Sequence, residues 1–491
     1  MSRERQVADS AIYLIPALAG NLIPILTLPI FTRILTPQDY GAWALAMAYG
    51  AFITGLANFG MTVSYDRSFF EYREGPRAAQ LLYSTVGFVA VTYLTCVGVT
   101  WLFRDRLAAW IIQRPDMGQL LFWVCCATGM SSLKWYYLAY LRNRGEAKAY
   151  VWFTMDETLL TTAFSLFLVA YLRVGVIGLP WAQLAAASLV FVLVSLRFAR
   201  MLKPAFSGAL LRENLKLGYP LTPRIFLGVL GNNFDKYLLG LMASVGSVGV
   251  YAIGQKVSYV VFAYMTALEN VFGPQTYRKM FDLGAEGGRE VGRYLTPFVY
   301  ASFAIALAVS LFSEEALMFL TPAAYHGAVP VVNLLTLYYA IMFFGKQPQL
   351  IYAKKTYLLS VLTLVSLAAN VTFNVIGIRA FGLLGAAAGT LLAGVVIVVL
   401  HNLLAMRFYR IEWEMAKLGA MLAVLTGSSA LVLLMGQSGV PYAARLGVKL
   451  AAAAGYVWLG AALGIVTRAN LQQVRAMVYA KVRPLSSASP S

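Results

Sequence analysis

The sequence predicts an all-α protein that crosses a lipid bilayer about fourteen times. Three observations carry that prediction. Of 491 residues, 60% are hydrophobic and 12% charged, with a mean hydropathy of +0.69. Soluble domains sit nearer about half apolar and about a quarter charged. The apolar excess is gathered into blocks of roughly twenty residues, the length a helix needs to cross about 30 Å of hydrocarbon. The basic residues alternate between crowded and sparse loops. A β-barrel is excluded, because its strands read as alternating segments of about ten residues.

The expected spans are 9–34, 41–64, 79–103, 117–141, 149–172, 176–199, 214–243, 248–277, 292–313, 328–353, 356–378, 381–406, 415–436 and 440–467. The first block follows the mixed-charge MSRERQ. It contains Pro16, Asn21, Pro24 and Pro29 and is too long for a signal-peptide core, so it is expected to be retained as a helix. Gly175 and Gly382 mark tight turns at 173–176 and 378–381. The longest loops, around 200–213 and 278–291, are short, so no folded extramembrane domain is expected. The tail LSSASPS reads as polar and disordered.

With the N-terminus inside, about 26 Lys and Arg fall on the inner side and about seven on the outer. Both termini are therefore expected in the cytoplasm. The same asymmetry accounts for most of the net charge of +18, so no nucleic-acid partner is implied. Lys449, near an outer helix end, is expected to snorkel.

The first and seventh spans share a pattern. Phe31-Thr32-Arg33-Ile34-Leu35 parallels Phe234-Asp235-Lys236-Tyr237-Leu238. Asn21 and Arg224 each stand ten residues before the Phe, and both helices carry prolines. Two seven-helix halves are a transporter-like plan, with a substrate cavity at the repeat interface.

Charges inside apolar spans are costly, about 2.5–3.5 kcal/mol each at the bilayer centre on insertion scales. At about 100° per residue, Arg224, Gly228, Gly231 and Asp235 fall within about 60° of one another, with Asn232 beside them and Lys236 further round. Either this stripe lines a wet cavity for an anionic substrate, or Asp235 pairs with Lys236 or a neighbour to hold helices together. Arg224 suits bidentate phosphate binding. Lys134 reads equally as a cavity cation or a snorkelling group. Lys256 is a substrate-site candidate, whereas Lys346 reads as snorkelling to the inner surface. Asp156 and Glu157 read as solvated at the inner surface, with proton carriage as the sharper alternative. Glu269 is a candidate gate or counter-ion. Asn370 and Asn374, one turn apart, serve either helix contact or substrate. Cys96, Cys125 and Cys126 read as small buried groups without a disulfide. With only His326 and His401 besides, neither a metal site nor a cofactor is expected.

LIPILTLPIFTRILTPQDYGAWALA resembles the N-terminal signature of Wzx-type polysaccharide flippases. These form the polysaccharide transport family of the multidrug/oligosaccharidyl-lipid/polysaccharide (MOP) exporter superfamily. VGVYAIGQKVSYVVFAYMTALENVFGPQTYRKM is similar to that family's eighth helix, and NVTFNVIGIRAFGLLGAAAGTLLA to its eleventh and twelfth. The resemblance covers nearly the whole chain in order. It implies two pseudo-symmetric helical bundles around a central cationic cavity. Residues 1–205 form the first, 206–410 the second, 411–470 two additional spans and 471–491 a cytoplasmic tail. It implies a flippase, not an enzyme, that moves an undecaprenyl-pyrophosphate-linked oligosaccharide across the bacterial inner membrane for O-antigen, capsule or exopolysaccharide (lipopolysaccharide-type) synthesis. Membrane lipids surround it, and a polysaccharide polymerase and chain-length regulator are candidate partners. Carried over by position, the best matches are Asn21, Arg224, Asn232, Asp235, Lys236 and Lys256. Together with the charges read inside the spans, Asn21, Arg224, Asn232, Lys236, Lys256 and Lys134 are substrate-site candidates, and Asp235, Glu269 and Asp156 are gating or ion-coupling candidates. The alternatives are a drug or metabolite antiporter of the same superfamily, a lipid II flippase, a membrane polysaccharide polymerase or ligase, and a scaffold of the export machinery. An antiporter of cations favours an acidic cavity. A polymerase needs a long outer loop. A scaffold needs no intramembrane charge.

Overall fold

The computed structural model describes residue 16 and residues 19–72, 76–346 and 348–465. The expected start of the first span, the end of the last, Arg73 and the cytoplasmic tail lie outside the described residues. Among the described residues the regular elements are helices, with no strand. In chain order these are α1 (Leu28–Ile34), α2 (Pro37–Ala57), α3 (Met61–Glu71), α4 (Pro76–Ile111), α5 (Gly118–Asn143), α6 (Ala147–Ser165), α7 (Gly178–Met201), α8 (Gly208–Gly218) and α9 (Thr222–Met242). They continue as α10 (Val245–Leu283), α11 (Gly288–Leu311), α12 (Ser313–Leu320), α13 (Val329–Ile341), α14 (Gln349–Tyr352), α15 (Thr356–Ala405), α16 (Met415–Gln437) and α17 (Tyr442–Ala462).

Each expected span meets helix, and among the described residues eight helices qualify as membrane crossings by length and apolar composition alone. The protein is thus a multi-pass membrane protein. Two expected spans, 356–378 and 381–406, run together in α15, whose path is broken at Gly382 with φ 55°. Gly175 has φ 80°, so both turns read from glycine sit at left-handed backbone.

Two expected boundaries are corrected. The span drawn to residue 64 ends at Ala57, because Phe59 and Gly60 adopt φ 46° and 69° before α3 begins. A Cβ at Gly60 would overlap the Gly218 carbonyl, so the turn lets two backbones touch. The span drawn from 214 begins at Thr222, after the separate helix α8 and a short turn, Tyr219–Leu221. Pro220 and Pro223 force that break, since neither can extend a helix through its N–H.

The chain packs as two compact units that differ from the halves drawn at 205 and 410. Unit 1 comprises 1–257, 315–331 and 360–393; unit 2 comprises 258–314, 332–359 and 394–491. Between apolar helices in lipid the hydrophobic drive is weak, so close contact between small residues holds them together. In unit 1, α5 packs against α7, where Ala182, Ala186 and Ala187 are buried, and against Tyr93 of α4 at Gly129. In unit 2, Val299 and Phe303 of α11 are buried with Met421 and Leu425 of α16. There Tyr300 stacks on Tyr456 with ring centroids 4.8 Å apart, in space left by Gly460.

Candidate functional site

The seventh expected span, now α9, carries its stripe on one continuous helix, but the two ends of that stripe have different surroundings. Asp235 is 4% exposed. Its carboxylate accepts a hydrogen bond from the Tyr251 hydroxyl at 2.6 Å and one from the Lys236 backbone N–H at 2.8 Å. The Lys236 side chain does not pair with it. Tyr251 also lies 3.4 Å from the Thr390 hydroxyl, and Asn374 donates to Thr390 at 3.4 Å and to the Asn370 carbonyl at 2.9 Å. A buried polar chain therefore links α9, α10 and α15 within unit 1. At the other end Arg224 is exposed and Gly228 faces open space. Among the described residues, neither the Arg224 guanidinium nor the half-buried Lys236 ammonium has an ion-pair or hydrogen-bond partner. Asn232 is exposed.

The other candidates lie in separate clusters. Lys134, 2% exposed, forms an ion pair with Glu157, whose carboxylate also accepts from Ser131 at 3.3 Å. Such a buried pair persists because each charge has its counter-charge. Asp156, beside Glu157, is half-buried. Lys256 donates to the Tyr40 hydroxyl at 2.9 Å, and Tyr40 packs edge-on against Tyr325. In unit 2, Lys346 does not simply snorkel. It pairs with Glu269 at 3.1 Å, donates to Thr266 and lies 4.3 Å from the Phe262 ring centre. Lys449 also departs from the snorkelling expectation, being fully buried and 3.0 Å from Glu314, which Arg445 shares at 2.7 Å. Asn21 is exposed.

A cavity of about 350 Å³ opens in unit 1 between α2, α5 and α9. Its walls include Met47, Ala51, Gly55, Ile225 and Val229. None of the nine nominated residues lines it. Its polar lining was not foreseen. Asn58 donates to the Thr54 carbonyl and Ser132, and accepts from Tyr136 at 2.7 Å. Tyr251, Thr390 and Asn58 escaped the sequence reading because neutral polar groups carry no charge signal in an apolar block.

The repeat seen in the sequence has counterparts in the contacts. Thr32 and Asp235, matched in the repeat, are both buried, and Thr32 donates to the Leu320 carbonyl at 3.1 Å. Thr36 caps α2 in a capping box with Asp39, and Ser244, which precedes α10, accepts from the Ser247 N–H at 3.0 Å.

The sequence profile described as "Polysaccharide biosynthesis protein" matches residues 7–268. "Lsg locus putative protein 1" of Haemophilus influenzae is 22% identical over 279 residues. That alignment spans 55% of this chain and 66% of that protein, just under two thirds of its length. The backbone matches "Lipid II flippase MurJ, inward closed conformation" with a TM-score of 0.67, 13% identity and coverage of 92% of this chain and 98% of that one. It matches an inward-facing multidrug resistance MATE family transporter of the MOP superfamily with a TM-score of 0.65, 15% identity and coverage of 82% and 98%. The shared feature is the fold, that of the MOP exporters.

Proposed function

The chain belongs to the polysaccharide biosynthesis protein family, and from that premise we propose that it is a flippase for an undecaprenyl-pyrophosphate-linked oligosaccharide. The cargo moves from the inner to the outer leaflet of the bacterial inner membrane, for O-antigen, capsule or exopolysaccharide synthesis. Both termini are cytoplasmic, as the basic loops require. The protein moves its substrate without changing a covalent bond. A polysaccharide polymerase and chain-length regulator are its partners in the same assembly line.

One observation supports this reading above the others. On α9 the acid is engaged by Tyr251, while Arg224 and Lys236 are left without internal partners. An intramembrane helix with uncommitted cations favours an anionic ligand. A pyrophosphate fits that chemistry, and a planar guanidinium binds it bidentately. A cationic drug does not fit. Alternating access moves the cargo when it binds the two states with different affinity. The gating and coupling roles of Asp235, Glu269 and Asp156 belong to this proposal.

The test is surface polysaccharide export by cells carrying Arg224→Ala or Lys236→Gln, with membrane abundance measured alongside. Lost export at normal abundance, with lipid-linked glycan retained in the inner leaflet, is expected. Full export by both variants would remove α9 from the substrate site.

A further inference from the structure

The cavity of unit 1 has a chemistry of its own. At about 350 Å³ it falls within the size range of small-molecule sites. Its walls are apolar, and most of its polar side chains are already engaged. The Thr54 hydroxyl donates to the Gly50 carbonyl at 2.9 Å and accepts from Tyr93 at 2.9 Å. The Thr128 hydroxyl donates to the Val124 carbonyl at 2.8 Å. The Asn58 amide uses both its nitrogen and its oxygen on protein partners. Among the described lining residues only Thr62, beside the Gly60 turn, keeps a hydroxyl without a protein partner.

A lining whose hydrogen-bond donors are mostly engaged discriminates between ligands. A sugar hydroxyl entering it gives up water and finds few free groups, which is costly. A hydrocarbon chain leaves one apolar surrounding for another and gives up nothing polar, so it enters at little cost. Arg224 immediately precedes Ile225 on α9 and is exposed on the adjoining face. A lipid-linked cargo has a sugar on one side of its pyrophosphate and branched isoprene units on the other. Only the isoprene side complements this cavity.

The geometry points to an isoprenoid subsite: the cavity takes the isoprene units next to the pyrophosphate, with the phosphates at Arg224. This rests on the flippase reading and adds which end of the cargo enters the cavity. Val229 and Ala51 are then contacts for hydrocarbon, and the glycan lies outside the cavity.

The experiment uses the purified full-length protein in nanodiscs and a photoreactive undecaprenyl pyrophosphate that carries no sugar. Label is expected within residues 47–62 and 225–229. Unlabelled prenyl pyrophosphate should compete at least tenfold better than a water-soluble glycan pyrophosphate, which shares only the contact at Arg224, and excess phospholipid should not compete. Val229→Thr, nearly isosteric, should weaken labelling by about tenfold through the buried hydroxyl. Label confined to other residues, or competition by phospholipid, would overturn the subsite. If the complete lipid-linked oligosaccharide binds while the label lies elsewhere, the subsite fails and the flippase reading stands. If neither binds at any site, both fail.

Discussion

Gly41 and Gly249 meet across a reciprocal helix crossing. A Cβ at Gly41 would overlap the Val245 carbonyl, and a Cβ at Gly249 would overlap the Pro37 carbonyl. Each glycine thus receives the carbonyl four residues before the other, the pattern of a two-fold contact. It falls in the first turn of α2 and of α10, just after the caps Thr36 and Ser244. Gly41→Ala and Gly249→Ala should each lower the stability of the detergent-purified protein by about 1–3 kcal/mol, the usual cost of overpacking. Because both act on one crossing, the double variant should lose less than the sum of the two. Thermal unfolding of the three variants tests this, and full additivity would argue against a shared contact.

The Lys134–Glu157 pair leads to a different expectation. Removing one member leaves a charge uncompensated beside apolar helices, at a cost of about 3–5 kcal/mol for a buried pair. Lys134→Met and Glu157→Leu should each reduce membrane abundance sharply. The double variant should recover most of it, since replacing both charges by apolar groups is often neutral. Export by the recovered double variant then separates packing from transport. Normal export assigns the pair to packing, and lost export at recovered abundance gives it a role in the cycle.

Much of the architecture was legible because helices in lipid announce themselves by apolar length. The turns at Gly175 and Gly382 followed from composition alone. The break at Gly60 did not, because Asn58, Phe59 and Gly60 sit between apolar residues on both sides and the close contact there is with a distant residue, Gly218. The charges were legible as a set, but not their partners. Lys134 and Glu157 lie on different helices, as do Lys346 and Glu269. Spacing along one helix says nothing about a group on the next.

Lys449 shows the same limit. Its place near a helix end suggested a side chain reaching for water, yet it is fully buried against Glu314. Glu314 lies on α12, far off in the sequence, and Arg445 reaches it from one turn before Lys449. Glu314→Gln should leave two cations short of their shared carboxylate and destabilise the protein by about 3 kcal/mol. Chemical denaturation or a thermal-shift series reads this. An unchanged midpoint would show that Lys449 draws its compensation from elsewhere.

Asp235 and Tyr251 form the contact on which the reading of α9 turns. Tyr251→Phe removes one donor from a buried carboxylate, with an expected loss of about 1.5–3 kcal/mol for a hydrogen bond to a charged group. Asp235→Asn keeps an acceptor for Tyr251, so its stability loss should be smaller. A double-mutant cycle should then give a coupling energy of about 1 kcal/mol or more. Export adds the second axis. If Asp235 only holds α9 to α10, export should track abundance in every variant. If Asp235 couples an ion or sets the field around Lys236, Asp235→Asn should lose export at normal abundance while Tyr251→Phe at matched abundance retains it. That pairing separates a carboxylate needed for its charge from one needed for its hydrogen bond.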